Sequence, residues 1–192
     1  MHPGRISCAL ILIGGIATSQ NPEAAKAIAT PAPTVGQVLD RQLANLEREF
    51  VPAAEALGED KFAFAPTSGE FKGVKTFAQQ VGHIGAANYM FAAGILGEKA
   101  PVDLSGEDGP ATLKTKADYM KFLKDSFTYA HKAFAAITEA NATASIPAPW
   151  GQGTATRLGL ASLTVAHGFD HYGQMVVYLR MNGIIPPASR KP

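Results

Sequence analysis

TVAHGFDHYGQMVVYLRMNGIIPP, residues 164–187, places two histidines four residues apart in a stretch with helical apolar spacing. On one helix His167 and His171 stand one turn apart on the same side. A face shared by Leu160, Leu163, Thr164, His167, His171, Gln174 and Tyr178 puts both imidazoles on the inward side. A packed core gains nothing from two rings that titrate near neutrality, whereas one metal ion can use both. Asn182-Gly183 ends this helix and Pro186-Pro187 prevents its continuation.

Working outward, three more helices are predicted. TVGQVLDRQLANLEREFVPAAEALG (34–58) carries Val35, Val38, Leu39, Leu43, Leu46, Phe50 and Leu57 on one face. Thr34 is its N-cap, Gly58 its stop, and Pro52 kinks it without ending it. The second helix spans about 75–96, the third about 113–138 and the fourth about 155–181. Tyr119, Phe122, Leu123, Phe127, Phe134 and Ile137 stripe the third. Phe62, Phe64 and Phe71, in the first loop, are expected to fold back onto the bundle. No stretch shows the sustained alternation of a strand. Four amphipathic helices joined by long polar loops predict an all-α four-helix bundle, without forcing an up-down topology.

The chain has 192 residues, 46% hydrophobic and 17% charged, with formal net charge +1. Scattered Lys and Arg with near-zero net charge argue against a nucleic-acid partner. The amino end, MHPGRISCALILIGGIATSQ, has a basic start, an apolar run over 6–17 and then small polar residues, the layout of a signal peptide. Cleavage after Ser19, or later up to 30, leaves an Ala- and Pro-rich linker over 20–33, a bundle over 34–187 and a tail over 188–192. The run is too short for a permanent span of roughly 20 residues. The expected location is therefore exported, periplasmic or secreted, with no membrane span after processing. Cys8 leaves with the leader, so the mature chain has no thiolate ligand or nucleophile.

FAQQVGHIGAANYMF (77–91) places Gln80, His83, Ala87 and Met90 on one face of the second helix. His83 can then face the pair on the fourth helix. Three imidazoles from two helices form a facial set with one position open, the pattern of a catalytic rather than a structural metal site. Such a set suits Zn, Ni, Fe or Cu. An HxxxH pair on a helix is by itself a weak signal, and buried histidines commonly only hydrogen-bond. Gly168 follows His167 where the zinc-protease helix has its glutamate base, and such a glycine can admit a neighbouring helix. His131 reads as a solvated or half-buried residue without a role, and Asp170 as a surface residue. Trp150 fits either a pocket roof or a core cap, and Asn88 and Tyr89 either pocket or packing positions.

VGHIGAANYMF (81–91) with AHGFDHYGQMVVYLRMNGIIPP (166–187) resembles the DinB-like superfamily, as does the approach PTSGEFKGVKTFAQQVGHI (66–84). The likeness covers about 34–187. It implies a four-helix bundle that binds a divalent metal (Zn, Ni or Fe) through His83, His167 and His171, with Gly173-Gln174 matching the trailing Gly-Gln and Gln174 as an outer support. Ala166 stands where many relatives have Asn, and Tyr172 where many have Arg, which leaves ligand orientation and substrate contacts open. The resemblance implies either a hydrolase, acting through water activated by the metal, or a thiol S-transferase. Export disfavours the transferase, because small thiols are scarce outside the cytoplasm. The expectation is an unidentified small-molecule substrate and hydrolysis. A non-enzymatic metal-binding helical module is the other alternative, and a homodimer through helix faces is compatible with all of them.

Overall fold

The computed structural model describes residues 31–191. The leader, Cys8 and most of the linker expected over 20–33 lie outside the described residues. The chain divides into units Met1–Ala32 and Pro33–Pro192, and everything below concerns the second.

Four helices, α1 (Val35–Ala56), α2 (Phe77–Leu96), α3 (Lys116–Ala135) and α4 (Arg157–Met181), form an all-α bundle. Each begins at a threonine whose hydroxyl accepts a backbone N–H one turn on: Thr34, Thr76, Thr115 and Thr156. The first three complete the reciprocal bond through Gln37, Gln79 and Asp118, satisfying donors that a helix start otherwise leaves open. Helix α1 runs through Pro52 and ends at Leu57 in an extended conformation, so Gly58 is not its stop. Helix α2 does end on glycine: Gly97 is left-handed at φ 71°.

Helix α1 packs on α3 and α4, and α2 packs on the same two. Consecutive helices α1 and α2 therefore sit across the bundle from each other, as do α3 and α4. Directions follow from the contacts. Val35 and Glu55 of α1 meet Glu139 and Lys124 around α3, so that pair is antiparallel. Gly85 and Asn88 of α2 meet Phe122 and Ser126 of α3, so that pair is parallel. Gln80 and Ile95 of α2 meet Gln174 and Arg157 of α4, an antiparallel pair. The connection over 97–115 must consequently travel back along the whole of α2.

The core is aromatic and aliphatic. Phe50, Phe77, Phe127, Phe134, Leu43, Leu46 and Leu123 are fully enclosed, each contributing about 1.5–3 kcal/mol by leaving water. Phe50 and Phe127 join α1 to α3 with ring centroids 6.4 Å apart. Phe62 is buried and meets Phe77 edge-on. Phe64 packs on Tyr178, but Phe71 is 38% exposed and does not fold back.

Two further expectations differ from the structure. A short antiparallel hairpin, β1 (Ser145–Pro147) with β2 (Thr154–Thr156), precedes α4; strands of three residues are too short to show a period. The buried face of α4 is Leu160, Ala161, Thr164, Gly168, His171, Met175, Tyr178 and Leu179. Leu163 (40% exposed) and Gln174 face outward, so the inward stripe is turned from the one the apolar pattern suggested.

Gly168 is the point where α4 meets α1. A Cβ there would lie 2.2 Å from Cδ2 of Leu46, which has no exposed surface. Gly168→Ala would gain roughly 1 kcal/mol of helix propensity but overpack an enclosed leucine, at about 1–3 kcal/mol. The expected result is a net loss of about 1 kcal/mol in urea denaturation; an unchanged or raised midpoint would show that Leu46 yields freely.

Candidate metal centre

His83 comes from the second turn of α2, and His167 and His171 from the middle of α4. Their ring centroids lie 5.1 Å (83–167), 4.8 Å (83–171) and 4.6 Å (167–171) apart. One ring nitrogen from each falls within 4.8 Å of the others. The three candidate ligands from the sequence are thus brought to one place.

Hydrogen bonds decide which nitrogen faces inward. Nδ1 of His83 lies 3.0 Å from the carbonyl of Glu107. A carbonyl only accepts, so Nδ1 carries the proton and Nε2 keeps its lone pair. Nδ1 of His171 bonds Oε1 of Gln80. Nε2 of Gln80 donates to Oε1 of Gln174 at 3.0 Å, and Nε2 of Gln174 donates to Oδ2 of Asp170 at 3.2 Å. The chain His171–Gln80–Gln174–Asp170 runs in one donor direction, anchoring Nδ1–H of His171 and freeing its Nε2. Gln174 therefore supports the site through Gln80, and Asp170, though exposed, terminates the chain.

Nε2 of His167 is 3.1 Å from Nε2 of His83. Without an ion, His167 meets this as the Nε2–H tautomer donating to His83. Nitrogens bound at 2.0–2.1 Å to one ion stand about 2.9–3.4 Å apart, so the His83–His167 pair has the spacing of two ligands of one ion. The donor set of three imidazoles suits a borderline divalent metal. The cluster is compatible with metal binding.

Burial favours the neutral form of His167 and His171. His171 is 8% exposed; desolvation, with the neighbouring His167 and His83, lowers its pKa to about 4. Desolvation, then His83, also lowers that of His167. Neutral imidazole is the form that coordinates a metal.

The connection over 97–115 covers the Nδ1 side of His83. Nζ of Lys75 meets Asp108 at 2.6 Å and Glu107 at 3.1 Å. Both carboxylates come within 3.8 Å of Nδ1 of His83. Burial would lower the pKa of Lys75, but its bonds to Asp108 and Glu107 outweigh it and hold the amine charged. Gln80, Lys75, Glu107 and Asp108 carried no assigned role in the sequence. Gln80 shares the stripe of His83, which was its one signal. The acidic pair sits in a loop that reads like any solvated turn.

Other candidates lie elsewhere. Asn88 is buried and donates to Ser126 Oγ at 3.1 Å, tying α2 to α3. Tyr89 stacks against Phe122 and Tyr129 on that same side. Trp150, at the hairpin tip, is 52% exposed and neither roofs the site nor caps the core. Tyr172 points toward Glu49 of α1. His131 is half-buried but not idle: its Nδ1 meets Asp40 and its Nε2 meets Glu47 at 3.1 Å, binding α3 to α1. Burial opposes its charge, but bonds to Asp40 and Glu47 prevail and raise its pKa.

A family model described as the DinB superfamily matches residues 42–175. No curated relative matches the chain. Several solved chains match, two of them DinB-like proteins from Bacillus. A DinB-like protein from Bacillus cereus is 16% identical, with TM-score 0.63 over 78% of this chain and 93% of its own. A DinB-like protein from Bacillus subtilis is 20% identical, with TM-score 0.60 over 81% and 99%.

The two histidine environments predict opposite pH effects in metal-free protein. The depressed His171 leaves the unfolded chain binding the extra proton, so its share of stability is present above about pH 6.5 and lost as pH falls toward 4. The raised His131 stabilises fully below about 6.5, and loses that share as pH rises through its folded-state value. Histidine NMR titration should place the two on opposite sides of 6.5; a His171 signal titrating at or above that value would contradict the burial assigned to it.

Proposed function

The chain belongs to the DinB superfamily, and on that premise we propose that it holds one divalent metal ion on His83, His167 and His171 and hydrolyses a small-molecule substrate there. The observation that carries this reading is the pair of Nδ1–H bonds, His83 to Glu107 and His171 to Gln80, which leave the Nε2 lone pairs of both rings free in a cluster where one nitrogen of each histidine lies within 4.8 Å of the others. Bound at three neutral imidazoles, a divalent ion makes water a nucleophile at neutral pH.

The residues of the chain hold, orient and partly dry the site. Gln80 fixes the ring of His171, and Gln174 and Asp170 fix Gln80. Glu107 and Asp108 approach Nδ1 of His83, the ring edge away from its Nε2. With the ion on the three imidazoles they serve as the wall and counter-charge of the site, although with His83 they also form a second group that could hold an ion. His167 is only half-buried, which leaves a side open to substrate. Export through the amino-terminal leader belongs to the same proposal and favours hydrolysis over thiol transfer. A full-length chain recovered only from the cytoplasm would remove export from it.

Elemental analysis of protein purified without chelator tests the first step. About one metal equivalent is expected in the unmodified chain and almost none in the His167→Ala, His171→Ala double variant; equal content in both refutes the site. Gln80→Leu, which keeps all three imidazoles, is expected to weaken metal affinity about 10–100-fold. Activity toward esters or amides supports the hydrolase; turnover only with a thiol and an electrophile would replace it with the transferase. Metal content without turnover of either kind would leave a structural ion.

A further inference from the structure

A cavity of about 1020 Å³ opens between the C-terminal half of α2, the start of the connection over 97–115 and the β1–β2 hairpin. It is distinct from the histidine cluster. Met90 on its wall is seven residues beyond His83, about 10 Å further along α2. The volume is at the upper end of what small-molecule sites use, about 300–1,000 Å³.

The wall is mainly apolar, with Met90, Ala93, Val102, Leu104, Ile146 and Pro149 contributing. Its charges differ in depth. Glu98, Lys99 and Asp103 are exposed, and Arg157 is half-buried. The carboxylate of Glu98 already accepts from Tyr129 and Lys132, and that of Asp103 from Ser105. Arg157 differs. Its Nε–H donates to the carbonyl of Ile95 at 3.0 Å, which fixes the guanidinium in place. Among the described residues it makes no ion pair with N···O within 4.0 Å.

We propose that this cavity is a binding site for an amphipathic carboxylate, an unbranched acyl chain lying along the apolar wall with its carboxylate on the Arg157 guanidinium. A half-buried guanidinium without a counter-ion favours a carboxylate, which its planar fork can hold by two hydrogen bonds. The apolar wall supplies contact area that inorganic anions cannot use. The site is independent of the metal reading, since no histidine lines it.

Isothermal titration of the full chain with dodecanoate tests this. Saturable binding is expected, unchanged by EDTA and in the His167→Ala, His171→Ala variant. Arg157→Gln should weaken it by about tenfold or more, Arg157→Lys by less, and uncharged dodecanol should bind about tenfold more weakly than dodecanoate. Ala100→Trp, which places an indole in the cavity from its half-buried wall, should abolish binding while circular dichroism shows an intact fold. The absence of saturable binding overturns the proposal. So does equal affinity in Arg157→Gln or Ala100→Trp, and so does loss of binding in the double histidine variant, which would put the carboxylate on the metal instead.

Discussion

The functional part of this molecule depends on one buried amide. Gln80 is 1% exposed, in the seam between α2 and α4, where an unpaired amide would cost about 1–3 kcal/mol. Its oxygen meets His171 and its nitrogen meets Gln174, residues one turn apart on α4. Sliding α2 along α4 by a turn would leave the amide and an imidazole both unsatisfied. The bond therefore sets the register of the two antiparallel helices, and that register puts His83 opposite His167 and His171. A purely apolar seam would tolerate small shifts; this one does not.

Topology supplies the second half of the site. Because α2 and α3 run parallel, the chain between them must return along α2, and on that path residues 107 and 108 pass His83. The backbone carbonyl of Glu107 then orients the ring, while Lys75 at the start of α2 clamps both side chains. The same connection, at its other end, walls the cavity beside Arg157. One long loop thus contributes to two places on α2 that differ in chemistry, one polar and imidazole-lined, the other mainly apolar with one half-buried guanidinium, Arg157.

Much of this was legible in the sequence, for identifiable reasons. Helical spacing and the cap at Thr34 are local signals, so the four helices stand within a few residues of their expected limits; Thr76, Thr115 and Thr156 are recognised as caps only in the structure. The HxxxH pair and His83 share a face with helical period, and the coordinates do bring them together. The face itself was partly misjudged: Leu163 looked inward but is 40% exposed, and Gly168, readable as able to admit a neighbouring helix, fell outside the expected inward stripe because apolarity marks a face only where side chains do the packing. At Gly168 the packing is done by Leu46 of the opposite helix, against bare backbone. His131 looked idle because its partners, Asp40 and Glu47, lie on another helix.

The sequence by itself determined the four helices, the cap at Thr34 and the three candidate ligands, since each is written in residue type and short-range spacing. Only the tertiary structure decided the helix order around the bundle, which ring nitrogens turn inward, which carboxylates stand beside His83, and that Arg157 has no counter-ion among the described residues. Those depend on atoms brought together from residues far apart along the chain, 94 positions for Gln80 and Gln174 and 104 for Val35 and Glu139. Hydrogen bonds and ion pairs act over a few ångströms whatever their separation along the chain, so no local pattern could have carried them.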